Sequence, residues 1–309
     1  MNKRTARFIT CLISMPLVLA TLINAACLIV ATPAFSEDSE SMLTVTPAIM
    51  EYSVNTVKPI LDSSPDRDKL SLLLKVVDIL NDSKTGIHSN QIKPNDYFTY
   101  HILDKIYLGF LFTWRFSPAQ KEILQRWHGK YMQTHPADVF FAPSADEIIR
   151  SKAAFGCTHY ARAFIAVVKA LGLVEKPEYL RYVISSKADD YNRALEKEDL
   201  EMTINGHQFV MAKVDSKWIA INTTKSEIVT MPQGFSPDSC IPPRNIPMRF
   251  ESYPAGIVFL LRKIGKDYND DCGDNSLSHL MNISRSSDPE DASFEWEVFV
   301  NEKWQEKAQ

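Results

Sequence analysis

The chain has 309 residues, a net charge of -4 and scattered rather than clustered Lys and Arg, which argues against a nucleic-acid-binding protein. Apolar residues make up 45% and charged residues 23%, the balance of a globular protein with one large or two modest domains. No internal repeat is present.

Lys3, Arg4 and Arg7 precede a mostly apolar run from Phe8 to Phe35. That is the order of an export signal, and small residues at Ala34 and Ser36 place cleavage after Ser36. Residues 1–36 therefore read as a signal peptide. An uncleaved N-terminal anchor is the alternative, because the run is nearly long enough to span a bilayer. The protein is expected to be exported, periplasmic or secreted, with membrane contact only through that segment. Of five cysteines, Cys11 and Cys27 fall inside it, leaving Cys157, Cys240 and Cys272. The economical arrangement in an oxidising compartment joins Cys240 to Cys272 and leaves Cys157 free; two unrelated free thiols are the alternative.

Residues 42–143 read as a helical region. Leu70, Leu73, Leu74, Val77 and Leu80 repeat at three and four, after a start signal at Ser64-Pro65-Asp66. A second helix follows Pro94-Asn95-Asp96 and carries Phe98, Ile102, Ile106, Leu108 and Leu111. A third follows Ser117-Pro118, a good cap and first position, with Ile123, Leu124, Trp127 and Tyr131. The aromatic residues Trp114, Phe116, Trp127, Tyr131, Phe140 and Phe141 read as core.

Residues 144–285 read as a second, α+β unit. Ser144-Ala145-Asp146-Glu147 opens a short capped helix. Cys157 follows Gly156 and starts a longer helix, whose Ala161, Phe164, Ile165 and Val168 share a face with it; Gly172 stops that helix. A thiol in the first turn feels the positive end of the helix dipole, which favours thiolate. Tyr179 to Ser185 reads as a strand and Asp189 to Glu201 as a charged, helical or loose excursion. Strands follow at Asn205–Ala212, Lys217–Asn222 and Ile257–Leu261, with a Pro-rich stretch at Pro232–Pro254 and a short helix at Leu277–Ile283. Residues 286–309 form a charged, partly disordered tail.

The two central strands form a hairpin. A turn at Lys213–Ser216 pairs Ala212 with Lys217, Met211 with Trp218, Phe209 with Ala220 and His207 with Asn222. His207 and Asn222 then share a face with Phe209, Met211, Trp218 and Ala220. That face is expected to pack on the helix carrying Cys157, which lines up a thiol, an imidazole and a carboxamide. A cysteine nucleophile needs a base and a group that orients the base, and these are those residue types. Each alone has a plainer reading as a buried thiol, a structural histidine or a core strand.

These blocks resemble the transglutaminase-like superfamily of papain-related cysteine enzymes. The resemblance covers about residues 145–224: Gly156-Cys157 with Tyr160-Ala161 and Ala170-Leu171-Gly172-Leu173, then Gly206-His207, then Trp218-Ile219-Ala220-Ile221-Asn222. It implies a nucleophile helix packed on an antiparallel sheet and an acyl-thioester mechanism, with Cys157 as nucleophile, His207 as general base and acid, and Asn222 as orienter. Asn222 stands where the family usually has Asp, so the imidazolium lacks a full negative partner. His159 stands where relatives often carry an acidic or polar residue, and reads as a wall or surface residue.

The expected function is an exported cysteine enzyme, of the bacterial exported type, that attacks an amide of a protein or peptide, with hydrolysis favoured over transamidation. The alternative is an inactive copy of the fold acting as a binding or scaffold protein in the cell envelope. No cofactor or metal is expected. His88, His101, His128, His135 and His279 lack ligand spacing, and no phosphate-binding glycine loop or Gly-x-Ser-x-Gly turn is present.

Overall fold

Thr46 caps the first helix by accepting from the Ile49 N–H, and Pro47 takes its first position, where a missing N–H costs nothing. This helix in the computed structural model, α1 (Pro47–Tyr52), runs through a π-helical turn (Ser53–Val57) into α2 (Lys58–Asp62). The structure describes residues 43–105, 108–134, 143–197, 199, 204–231, 235–237, 246–254 and 257–265. The signal segment, Cys240, Cys272, the helix expected at 277–283 and the tail at 286–309 lie outside the described residues.

The leucine repeat forms α3 (Lys69–Asn81), burying Leu73, Val76, Val77, Ile79 and Leu80. Its cap is Asp68, which accepts from the Ser71 N–H at 2.9 Å, so the helix starts later than the Ser64-Pro65-Asp66 signal. The second helix, α4 (Pro94–Lys105), is shorter than expected, and Leu108 and Leu111 are not on it. Gly109 packs close to Asp104 of α4, where a Cβ would lie 2.6 Å from Asp104 Oδ1, and opens α5 (Gly109–Phe112). In α6 (Pro118–Thr134), Ser117 and Gln120 exchange hydrogen bonds between side chain and backbone as a capping box. Trp127 and Phe116 are buried as expected, but Trp114 is 79% exposed, which removes it from the core.

A full capping box between Ser144 and Glu147 opens α7 (Ala145–Ser151). Then α8 (Cys157–Leu171) ends on Gly172, whose φ of +62° is the left-handed stop a glycine supplies. A six-stranded antiparallel sheet follows, made of β1 (Leu180–Lys187), β2 (Gly206–Val214), β3 (Lys217–Asn222), β4 (Glu227–Thr230), β5 (Ile246–Met248) and β6 (Phe259–Gly265), with the helix α9 (Ala188–Glu196) between β1 and β2. The strand order is β4-β3-β2-β1-β6-β5. The class is α+β. Helices α1, α3 and α7 share one core with α8 and one sheet face; α8 lies against β2 and β1.

The sheet corrects the hairpin in two respects. The turn is Asp215-Ser216 alone, both at positive φ (47° and 68°), as a two-residue primed turn requires. Val214 therefore pairs with Lys217, Lys213 with Trp218 and Met211 with Ala220, two places from the expected register. The expected face is also reversed with respect to α8. Val210, Ala212, Ile219 and Ile221 lie in the core shared with α8. Phe209, Met211, Trp218 and Ala220 cover the opposite face together with Met231, Met248, Phe250 and Phe259. Both faces are buried, so apolar pattern alone cannot tell which one the helix takes.

Candidate active site

Gly206 starts the strand that carries His207. A Cβ there would lie 2.2 Å from the Ser185 carbonyl oxygen, so the close pairing of Ser186 with Gly206 needs glycine. Ser185 Oγ donates to the His207 carbonyl at 2.6 Å and fixes the next peptide. His207 is 2% exposed, and its ring is surrounded by Phe209, Phe250, Tyr253 and Phe259. Asn222 ends β3 at the same end of the sheet and is fully buried.

The structure joins these two residues: His207 Nε2 and Asn222 Oδ1 lie 3.0 Å apart. The Thr224 backbone N–H, which can only donate, meets Asn222 Oδ1 at 3.2 Å, and Thr224 Oγ1 donates to it at 2.8 Å. The atom facing His207 is therefore the amide oxygen, so Nε2 carries the proton and Nδ1 holds the ring's lone pair. Asn222 Nδ2 donates in turn to Glu227 Oε2 at 3.1 Å and to Ser252 Oγ at 3.4 Å. From the helical layer, Asn81 Nδ2 donates to the Thr223 carbonyl at 2.9 Å, and Ser226 Oγ bonds to Asp78, bracing the turn after Asn222.

Cys157 sits where expected, at the first position of α8 with Gly156 as N-cap. It is not hydrogen-bonded to His207. Its thiol donates to Gln208 Oε1 at 2.9 Å, and the Gln208 N–H approaches Sγ at 3.4 Å. Thr158 Oγ1 donates to the same Gln208 oxygen at 3.2 Å. His207 Nδ1 instead faces the Tyr253 hydroxyl at 3.3 Å. The thiol, the imidazole and the carboxamide thus gather at one end of the sheet, with Gln208 and Tyr253 at the thiol and at Nδ1 respectively. His159 is buried against Trp127 and Phe155, and its Nδ1 accepts from the Phe155 N–H at 2.7 Å, so it is a wall of the loop before Cys157 and not a surface residue.

Burial dominates the electrostatics. Cys157 keeps a partly accessible surface. Even so, the protein packed around Sγ pushes its thiol pKa up, with hydrogen bonds from Gln208 and Thr158 opposing this. The helix dipole is therefore outweighed, and the expected thiolate is not the favoured resting form. Burial likewise pushes His207 down to about 4, against the Asn222 hydrogen bond and the Glu227 charge, which both raise it. Tyr253 rises to about 12 through burial, with the nearby Cys157 and Glu227 adding to it.

Comparison of the chain with family models, curated proteins and solved structures finds no match, so the chemistry rests on the geometry of these residues. Sequence reasoning missed Gln208, Thr224, Glu227, Ser252 and Tyr253. Thr224 was within reach, since an Asn whose side chain accepts from the second N–H onward is a common turn. Glu227 is the direct partner of Asn222 across β3 and β4, a strand pair with no strong alternation to announce it. Among the described residues no cluster of metal-ligating side chains occurs, and no helix is long and apolar enough to cross a membrane.

Proposed function

We propose that the protein is a cysteine enzyme of the transglutaminase-like type, acting on an amide of a protein or peptide with Cys157 as nucleophile, His207 as base and then acid, and Asn222 as orienter. The observation that carries this reading is the 3.0 Å bond from His207 Nε2–H to Asn222 Oδ1. It leaves Nδ1 as the basic atom of the ring, and Nδ1 faces the hydroxyl of Tyr253, a group that feels the charge of Cys157. In the reaction the Cys157 sulfur bonds to the amide carbon as its proton passes to His207 Nδ1. The backbone N–H of Cys157, in the first turn of α8, meets the oxyanion. The C–N bond then breaks, and the amine leaves with the proton from Nδ1. Water then attacks the thioester carbon and gives a proton to Nδ1; the C–S bond breaks, the Nδ1 proton returns to the Cys157 sulfur, and the carboxylic acid is released. Burial that raises the thiol and lowers the imidazole favours the uncharged pair, so the proton moves during attack and not before it. Hydrolysis is proposed over transfer to an amine, since transfer would require the site both to exclude water and to admit an amine.

Acylation by p-nitrophenyl acetate tests the reading, with the Cys157 thioester followed by intact mass. His207→Ala and the size-matched His207→Gln are expected to slow acylation at neutral pH by about a hundredfold or more, the usual contribution of a positioned base. Acylation at the wild-type rate in either folded variant overturns the proposal.

A second reading has its own support. The thiol donates to Gln208, and Nδ1 is occupied by Tyr253. A fold used for binding or scaffolding in the cell envelope would tolerate this inert pairing, and Cys157 would then acylate no faster than a free thiol of the same pKa.

A further inference from the structure

We infer that Glu227 is the positioning residue of this site: its carboxylate holds the Asn222 amide and the Ser252–Tyr253 segment, and so sets what each nitrogen of His207 meets. The inference rests on the roles proposed for His207 and Asn222. Glu227 lies directly opposite Asn222 in the β3–β4 pairing. Its Oε2 accepts from Asn222 Nδ2 at 3.1 Å and from Ser252 Oγ, while Oε1 accepts from the Ser252 N–H. Asn222 therefore has donors gathered on its oxygen and an anion on its nitrogen. An amide rotated by half a turn would face the Thr224 N–H with an N–H and the carboxylate with a lone pair, losing both bonds. The same carboxylate anchors Ser252, whose chain neighbour Tyr253 places its hydroxyl on His207 Nδ1. One side chain thus acts on both ring nitrogens without touching the ring.

The charge has a second consequence. The third residue of the triad is a neutral Asn, so a protonated ring has no anion in direct contact. Glu227 supplies one a single hydrogen bond further out. Among the described residues, the titratable or charged groups that act on His207 are Tyr253, whose hydroxyl faces Nδ1, and Glu227 from β4 behind Asn222, while Cys157 from α8 acts on Tyr253; the other ring neighbours are Phe209, Phe250 and Phe259.

The test reads the ring and not turnover. In histidine-labelled protein the His207 signals, assigned by their loss in His207→Gln, are expected to show a slowly exchanging Nε2–H and an unprotonated Nδ1. Glu227→Ala is expected to lose the slowly exchanging Nε2–H and to mix the two tautomers. Glu227→Gln keeps the size and removes the charge, and is expected to titrate His207 at lower pH than wild type. A merely structural role would lower the melting temperature and leave tautomer and titration alone. If Glu227→Ala does not fold, Glu227→Gln decides; wild-type tautomer and titration in the variants that fold overturn the inference. The two proposals fail separately. Wild-type acylation in His207→Gln with tautomer mixing in Glu227→Ala sinks the enzyme reading alone. Acylation slowed about a hundredfold or more in His207→Gln with a wild-type tautomer in Glu227→Ala sinks the positioning role alone.

Discussion

His207 and Asn222 meet on the diagonal of the β2–β3 ladder, not across it. The register pairs Val210 with Ile221 and Met211 with Ala220, so Asn222 falls two places short of the position opposite His207. Both side chains still stand on one face, because side-chain direction repeats every two residues. Diagonal neighbours stand roughly 7–8 Å apart, their Cβ atoms somewhat closer, and an imidazole and a carboxamide together span that gap, closing at 3.0 Å. A slip of one residue instead of two would have put His207 and Asn222 on opposite faces of the sheet.

Acid should weaken the fold through His207. Its ring is held at about 4, below the ordinary histidine value of about 6.5, so the unfolded chain binds a proton more readily between those limits. Stability is complete above about pH 6.5 and falls as the pH drops toward 4, by about 3 kcal/mol for this one group. Urea unfolding of wild type and His207→Gln from pH 7 to 4 checks this. The variant should lose less stability over that window; equal losses would show that the ring is not held neutral by its surroundings.

The parts of the site that were legible in the sequence are those written in local chemistry. Cys157 after a glycine at the head of an amphipathic run, Gly206-His207 at a strand start and the leucines of α3 each follow from short-range rules, and the helix and strands appear there. What was not legible depends on tertiary choice. Even-numbered and odd-numbered residues of β2 are both apolar, so the sequence does not say that Val210 and Ala212 face α8 while Phe209 and Met211 face Phe250. Tyr253 reaches His207 from 46 residues away with no pattern to mark it. The two-residue turn was missed because Asp215 and Ser216 both adopt positive φ, which neither residue type signals strongly.

Gly206→Ala should destabilise the protein by roughly 2 kcal/mol or more. The new methyl group would meet the Ser185 carbonyl oxygen at 2.2 Å, and that atom is backbone in the central β1–β2 pair, so it cannot swing aside. The melting temperature reads the loss. An unchanged value would mean that β1 and β2 separate there at little cost.

Asn81→Ala tests the brace between the helical layer and the site. Asn81 Nδ2 donates to both the Val77 and the Thr223 carbonyls at 2.9 Å, and Thr223 follows Asn222 in the chain. Removing the amide should cost about 1–2 kcal/mol in urea unfolding. Hydrogen exchange at the Thr224 N–H, which is bonded to Asn222 Oδ1, should also speed up. A stability loss with no change at Thr224 would confine Asn81 to the helical layer.

Tyr253→Phe should make Cys157 more reactive. The Tyr253 hydroxyl holds His207 Nδ1 at 3.3 Å, the atom that must accept the thiol proton, so base and hydroxyl are competing partners. Phenylalanine keeps the ring against His207 and Phe259 and removes only the donor. One such hydrogen bond is worth about 1 kcal/mol, so acylation by p-nitrophenyl acetate should rise about fivefold. The opposite result has an equally definite meaning. If the rate falls by a similar factor, the hydroxyl serves the reaction, for instance by carrying the proton between Cys157 and Nδ1. The neutral resting pair would then be linked through Tyr253, and the rate should show a solvent deuterium effect in wild type that disappears in the phenylalanine variant.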